Sequence, residues 1–367
     1  MKIGIFKSGF VNGKLIKQFN GSDGMVYLPG DVVLIPEETY NAKDKLSSTI
    51  EICDIEDIMP VFDINNKNIK NVLLIRSGGF GDLLALSSIT EYLKDYNIYF
   101  YTQKAKFGEA INWHTNQNTK VFEHTTPLFR DFKKYEAFAR FRSWGYLNIN
   151  GIVEVGACHK NWYEVFFEQM GVKFEAKYGK PSLTLPIIMD AENRLKSDKK
   201  SLLLCPRASS MIRTASLCDL VLATNYLGYQ PFVHRIDLFD GDEIICEMNN
   251  VKILDYCSSH DMFVNLWFAD MVLTVDSQPI HFREGIKKPC LAIYSSFTSD
   301  CRTKYYIHTK SVDIKSDCQM QPCFLHEWMN GEHIKYCQRG NGMNHAPCLS
   351  GINFVQQVKR EITEYVR

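Results

Sequence analysis

Short unbroken apolar runs, each followed by a small or polar loop and then by apolar residues at helical spacing, recur along most of this chain. Val72-Leu73-Leu74-Ile75 is the first. Such a run fits a strand of a parallel sheet covered on both faces, where no side of the strand is left for polar residues. A glycine-rich turn follows, and then Leu83, Leu84, Leu86, Ile89, Tyr92 and Leu93 form an apolar stripe that predicts a helix. Asn97-Ile98-Tyr99-Phe100-Tyr101 predicts the next strand. Strand, loop, helix, strand is the opening of a doubly wound α/β domain. The order restarts at Ser201-Leu202-Leu203-Leu204-Cys205, which Pro206 and a small-polar loop follow. Residues 232–236, 251–254, 271–275 and 290–294 supply further strands, the last after a helix-like stretch at 280–287.

Residues 1–67 have another character. Met25-Val26-Tyr27-Leu28 and Asp31-Val32-Val33-Leu34-Ile35 are short β-type runs about the turn Pro29-Gly30, and Asn65-Asn66-Lys67-Asn68 is a polar hinge. A charged stretch at 190–200 reads as a linker. The expected organisation is a β-rich extension over 1–67, a first Rossmann-like lobe over 68–190, and a second lobe over 191–367 with a cysteine-rich tail. The length, 367 residues, is too great for one ordinary core, and 45% hydrophobic content is enough to fill more than one.

Charge narrows the partners. Formal net charge is zero, so the chain as a whole is not driven toward nucleic acid or an anionic membrane. No apolar run reaches the roughly 18 residues of a membrane span. The N-terminus lacks the apolar core of a signal peptide, so the expected compartment is the cytoplasm. Cys53, Cys158, Cys205, Cys218, Cys246, Cys257 and Cys290 sit in apolar or mixed segments and read as small buried residues. Cys318, Cys323, Cys337 and Cys348 lie closer together, with His326, His333 and His345 nearby. A tetrahedral zinc site is one reading, although the spacings are looser than a CxxC pair. Free buried thiols or disulfides are the favoured reading.

Three loops follow predicted strands. Gly78-Gly79-Phe80-Gly81-Asp82 matches neither the dinucleotide fingerprint nor a P-loop. Asp82 fits a helix cap, and equally a general base at the ligand-binding edge of an open sheet. Ser209-Ser210-Met211-Ile212-Arg213 joins hydroxyls and a cation, which suits a diphosphate as well as a solvated turn. Asp276-Ser277-Gln278-Pro279-Ile280-His281 begins a helix, with Pro279 suited to its first turn.

In order and spacing these segments resemble the heptosyltransferase-like family, glycosyltransferase family nine. Residues 72–93 are similar to its opening strand, its small-residue loop ending Gly-Asp and its apolar helix. Ala208, Ser209 and Arg213 match its "Gly-Ala-Ser, three residues, Lys" segment, with Arg213 at the Lys position. Ala269-Asp270 through Asp276-Ser277 match its "Ala-Asp, apolar strand, Asp-Ser/Thr-Gly" segment, with His281 five residues after Asp276. Lys180-Pro181-Ser182-Leu183 is similar to its "Arg-Pro-x-Leu" stretch, and the tail from Cys318 to Cys348 resembles that of many members. The likeness spans about 68–367 and leaves 1–67 outside.

The resemblance implies a GT-B fold, in which two Rossmann-like doubly wound lobes face a cleft. It implies inverting transfer from a nucleotide sugar, often ADP-heptose, to an acceptor hydroxyl without a required metal or other cofactor. Asp82 takes the place of the base. Ser209, Ser210 and Arg213 stand at the diphosphate, Asp276 at the donor sugar and Ser277 near the phosphates. Gln278 and His281 belong to the same loop, and Gly78, Gly79 and Gly81 to the base's loop. Two departures fall on the donor side. Gln278 replaces a glycine, and Thr214-Ala215-Ser216 stands where an aromatic is usual, so a donor other than ADP-heptose is expected. A glycan is the expected acceptor.

Residues 129–146 interleave cations and rings, with Phe129, Phe132, Tyr135 and Phe138 recurring every three residues. The spacing predicts an amphipathic helix. The alternative is an acceptor surface for an anionic glycan or a nucleic-acid strand, as in a phage-type enzyme that glycosylates hydroxymethylated DNA bases. A non-catalytic binding protein on the same fold is the third expectation.

Overall fold

The computed structural model describes residues 2–6, 9–11, 14–16, 19–20, 26–27, 32–34, 50–75, 80–101, 113–114, 119–121, 128–129, 135–140, 146–148, 152–154, 160–184, 194–255, 259–319, 321, 323, 337, 339–340 and 342–366. The chain forms two compact units. One comprises Met1–Gly79, Thr90–Phe141 and Glu168–Val172, the other Phe80–Ile89, Arg142–Phe167 and Lys173–Arg367.

The first unit opens with β1 (Lys2–Phe6), β2 (Gly9–Val11), β3 (Lys14–Ile16), β4 (Phe19–Asn20), β5 (Val26–Tyr27), β6 (Val32–Leu34) and β7 (Ile50–Asp54). β1 lies antiparallel between β6 and β7. β2 pairs with β3 and β4 with β5, also antiparallel. The β-rich reading of residues 1–67 agrees with this.

β8 (Asn71–Ile75) begins the first parallel sheet, and the chain continues into helices α1 (Phe80–Ala85) and α2 (Ser87–Tyr92). The single apolar stripe over 83–93 thus becomes two short helices with a break at Leu86. The Ser87 hydroxyl donates to the Leu84 carbonyl at 2.6 Å, a local bond of the kind that competes with the helical ladder. β9 (Asn97–Tyr101), β10 (Thr119–Val121) and β12 (Ala137–Arg140) complete the sheet in the order β10-β9-β8-β12, all parallel. β11 (Leu128–Phe129) instead pairs with β6.

The helix expected over 129–146 is not present among the described residues there, which are extended. β12 pairs with β8, and Tyr135, Ala137, Phe138 and Ala139 are buried. Phe138 also exchanges backbone hydrogen bonds with Pro60 and Phe62 on its other side. Glu136 accepts the Lys70 and Asn71 N–H groups at 2.6 and 2.8 Å, bonds that lower its carboxyl pKa. Three-residue spacing of rings was the misleading signal: strand pairing along both edges outweighs it. Phe132 and residues 141–145 lie outside the described residues.

In the second unit β13 (Tyr146–Asn148) and β14 (Ile152–Glu154) form an antiparallel pair. The six-stranded parallel sheet consists of β15 (Ser201–Cys205), β16 (Gln230–His234), β17 (Lys252–Leu254), β18 (Met271–Val275), β19 (Cys290–Tyr294) and β20 (Thr309–Asp313), in the order β17-β16-β15-β18-β19-β20. Its helices are α4 (Leu217–Thr224), α5 (Asp242–Met248), α6 (Ser259–Phe268), α7 (Gln278–Gly285), α8 (Asp300–Thr303) and α9 (Gly351–Val366), and α3 (Trp162–Gln169) precedes them in the chain. Every residue of β15, β18 and β19 is buried, as their unbroken apolar sequences require. Each fully buried Leu or Val there contributes about 1.5–3 kcal/mol. Phe354, Val358 and Ile362 lie one turn apart on α9 and face the same core as α4.

Two polar residues set the register of this sheet. Asp270 accepts the Ser201 N–H and hydroxyl at 2.7 and 2.8 Å, pinning the start of β15 beside β18. Arg283 is fully buried and donates to the carbonyls of Leu266, Ala269 and Pro289, closing the end of α6. No helix among the described residues is long and apolar enough to cross a membrane.

Candidate active site

The strand order of the second sheet reverses direction between β15 and β18. Open α/β sheets bind ligands at the carboxyl ends of strands at such a switch point. The loop after β15 carries Ser209, Ser210 and Arg213, and the loop after β18 carries Asp276 and Ser277. The two loops meet. Arg213 Nη1 donates to Asp276 Oδ2 at 2.9 Å and to the Asp276 carbonyl at 3.2 Å. Arg213 Nη2 donates to Ser209 Oγ at 2.8 Å. The ion pair is largely removed from water, with side-chain exposures of 17% for Arg213 and 7% for Asp276. The fork geometry of Arg holds two loops at once, which a lysine could not do in the same way.

Ser210 is buried, and its hydroxyl has no hydrogen-bond partner. Its backbone begins the 3-10 turn Met211–Arg213, which presents Arg213. Ser277 precedes α7, and its hydroxyl is used locally, 3.1 Å from Thr274 Oγ1 and 3.2 Å from the Val275 carbonyl. Gln278 turns its amide onto Met262 Sδ at 3.0 Å. Pro279 occupies the first turn of α7, as its fixed φ allows.

His281, one turn into α7, is buried at 4% exposure. Its Nδ1 lies 2.8 Å from the Tyr306 hydroxyl, which lies 2.8 Å from that of Tyr163. The Trp162 ring packs on it at a centroid distance of 4.8 Å. Burial lowers its pKa to about 4, against the opposing influence of Asp276 and Asp82. The imidazole is therefore neutral at physiological pH.

Gly81 and Asp82 are not in a loop. They lie in the first turn of α1, where an acidic side chain complements the helix dipole. α1 packs on α7: Phe80 meets Phe263 at 4.7 Å between ring centroids, and a Cβ on Gly81 would stand 2.9 Å from His281 Cδ2. Gly81 is thus a close-contact glycine. Gly78 and Gly79 lie outside the described residues. Leu183 of the Lys180–Leu183 stretch packs on Gly285 at the end of α7, and the Ser182 N–H donates to Ser87 Oγ.

Arg302 was not singled out by sequence reasoning. It is 6% exposed, and its guanidinium stacks between Trp162 and Phe297 at 4.8 and 4.6 Å from the ring centroids. It adds a buried cation near His281 and Tyr294, whose ionisation it influences. No motif marks it, because only the fold brings α8 to α3.

The four tail cysteines lie near enough to influence one another electrostatically. Burial, and the neighbouring Cys348, Cys337 and Cys318 behind it, push the Cys323 thiol up to about 12. All four are free and partly buried. Among the described residues, no three of these sulfurs gather closely enough to hold one ion. His345 turns to Asn344 at 2.8 Å, and His326 and His333 lie outside the described residues.

No family model and no curated protein matches this sequence. Solved structures do match in fold. A family-nine glycosyl transferase from Veillonella parvula is 12% identical, with a TM-score of 0.54, over 80% of this chain and 97% of its own. The Escherichia coli ADP-heptose lipopolysaccharide heptosyltransferase II is 14% identical, with a TM-score of 0.52, over 80% and 98%. The dodecameric iron-containing heptosyltransferase TibC, solved with ADP-D-β-D-heptose, is 10% identical, with a TM-score of 0.56, over 100% and 91%. At these identities the likeness establishes the fold, the α/β GT-B architecture of the family-nine heptosyltransferases.

Proposed function

We propose that this chain is an inverting glycosyltransferase of the heptosyltransferase type, moving a sugar from a nucleotide donor to a hydroxyl of a glycan or similar acceptor. One observation carries the reading: Arg213 is braced by Asp276 and Ser209 at the switch point of a sheet whose fold is that of nucleotide-sugar enzymes. Inverting transfer needs a carboxylate to take the proton of the attacking hydroxyl while the nucleoside diphosphate leaves from the opposite face. Asp82 is the base in this reading. The leaving phosphates gain negative charge, and Arg213, the Ser210 hydroxyl and the backbone N–H groups at the start of α7 suit that charge. Asp276 orients Arg213 and takes hydroxyls of the donor sugar. Neutral His281, held by Tyr306 and Trp162, keeps α7 in place beneath Asp276.

None of these roles assigns a metal ion to the transfer step. The tail cysteines Cys318, Cys323, Cys337 and Cys348 are free thiols and take no part in it. The test of function is a screen of sugar nucleotides for thermal stabilisation. Turnover with glycan acceptors and with hydroxymethylated DNA follows, with Asp82→Ala as control. Transfer that survives Asp82→Ala sinks the assigned base. Failure to bind any sugar nucleotide returns the chain to the non-catalytic reading.

A further inference from the structure

A second group of ligating side chains lies on the same sheet, at the carboxyl ends of β15 and β16. Cys205 ends β15, His234 ends the adjacent parallel strand β16, and Asp237 follows in the 3-10 turn Arg235–Asp237. Neighbouring parallel strands end on one edge, which is how residues distant in sequence meet. The sulfur, a ring nitrogen and a carboxylate oxygen of the three lie within 4.8 Å of one another. Cys205 and His234 are buried at 4% and 1% exposure, while the Asp237 side chain keeps 17%.

The histidine and the carboxylate of this group are too far apart for a direct hydrogen bond: His234 Nδ1 stands 3.9 Å from Asp237 Oδ2. In a tetrahedral site with metal–ligand bonds of about 2.0–2.3 Å, ligand atoms stand roughly 3.3–3.6 Å apart. The histidine–carboxylate pair is within some tenths of an ångström of that spacing, and closing the whole group on an ion takes side-chain adjustments of at most about 1.5 Å. A third observation concerns Asn265. It is fully buried, its Nδ2 lies 3.1 Å from His234 Nε2, and its Oδ1 has no hydrogen-bond partner. Turning that amide over sets the oxygen against Nε2, where it accepts the ring N–H that remains when Nδ1 binds a metal.

We propose that Cys205, His234 and Asp237 form a binding site for a divalent ion of the zinc class, held through Sγ, Nδ1 and a carboxylate oxygen. Asn265 orients the imidazole. One sulfur, one nitrogen and one oxygen are a donor set that selects such an ion over calcium or magnesium. Three protein ligands leave a fourth position, which opens on the Asp237 side to water or to an oxygen of a bound molecule.

The test uses the full chain, stripped with a chelator and titrated with cobalt(II) as a spectroscopic probe, then with zinc as competitor. The expected result is one bound equivalent with the charge-transfer band of a single thiolate. That equivalent persists in Cys318→Ser, which perturbs the tail cysteines. It is lost in Cys205→Ser and weakened at least about tenfold in Asp237→Asn. Asp237 is partly exposed, so its variant decides the matter where Cys205→Ser does not fold. Unchanged cobalt stoichiometry and spectrum in Asp237→Asn would overturn the proposal. So would the loss of all bound cobalt in Cys318→Ser.

Discussion

Replacing Gly81 with alanine tests the packing on which the position of Asp82 depends. The added methyl would stand 2.9 Å from His281 Cδ2 and 3.3 Å from Gln278 Cα. Ordinary carbon contacts lie at about 3.5–4.0 Å, so one partner must retreat by roughly 0.6–1 Å. His281 cannot easily do so, being held by the Tyr306 hydroxyl and the Trp162 ring. The Gln278 contact is backbone, so α1 must shift. Overpacking of this kind costs about 1–3 kcal/mol, and the better helix propensity of alanine offsets up to about 1 kcal/mol. A net loss of roughly 0–3 kcal/mol is expected in urea unfolding followed by circular dichroism. Asp82 is the next residue and moves with the helix. A misplacement approaching 1 Å lowers turnover by about 10²-fold in the proposed reaction.

A double-mutant cycle separates this account from a general loss of stability. In a His281→Ala background the nearer obstacle is gone, and the cost of Gly81→Ala should shrink by about 1 kcal/mol or more. Additive effects, or a Gly81→Ala protein with full turnover and unchanged stability, would refute the close-contact explanation.

Asp82→Asn should lower turnover by about 10²–10⁴-fold while leaving sugar-nucleotide affinity within a few-fold, read by initial rates and by titration calorimetry. Arg213→Lys should weaken binding of a nucleoside diphosphate by about tenfold or more, because the planar fork that Asp276 and Ser209 brace is lost; equal affinity in wild type and variant would remove Arg213 from the phosphate site. Acidification should cost stability through His281, whose folded pKa of about 4 lies below its usual 6.5. The unfolded chain then binds the extra proton between those values, so the contribution is complete above pH 6.5. It falls by about 2–3 kcal/mol toward pH 4.5, and the difference between wild type and His281→Gln unfolding curves isolates it.

The second sheet was legible because its central strands are covered on both faces, and full burial writes itself into sequence as unbroken apolar runs. Ser201–Cys205, Met271–Val275 and Cys290–Tyr294 are such runs. β12 was not legible, because its rings and cations carry a three-residue spacing that imitates a helix. Only its pairing with β8 and its bonds to residues 60–62 decide otherwise. The loops that bear Arg213 and Asp276 were visible as polar punctuation after strands, but the ion pair joining them is a property of strand order. Cys205 read as an ordinary buried thiol for the same reason. Nothing in its neighbourhood along the chain announces His234 and Asp237, which β16 alone delivers to it.

Gln278 takes on a different meaning once α1 is placed. Read along the chain, a glutamine where the family has glycine suggests that a ligand is kept away from the start of α7. In the fold, the glutamine side chain lies against Met262, and the residue's Cα faces Gly81. α1 and α7 therefore approach closely at backbone level, which the missing side chain at Gly81 allows. Gly81 and Gln278 form one packing solution, in which a larger residue on α7 is tolerated because its neighbour on α1 has no Cβ. It follows that glycine at 278 should not rescue Gly81→Ala, since the methyl meets the Gln278 Cα and the His281 ring, neither of which that second change removes. Rescue by Gln278→Gly would mean that the glutamine side chain, and not the helix backbone, limits the approach of α1.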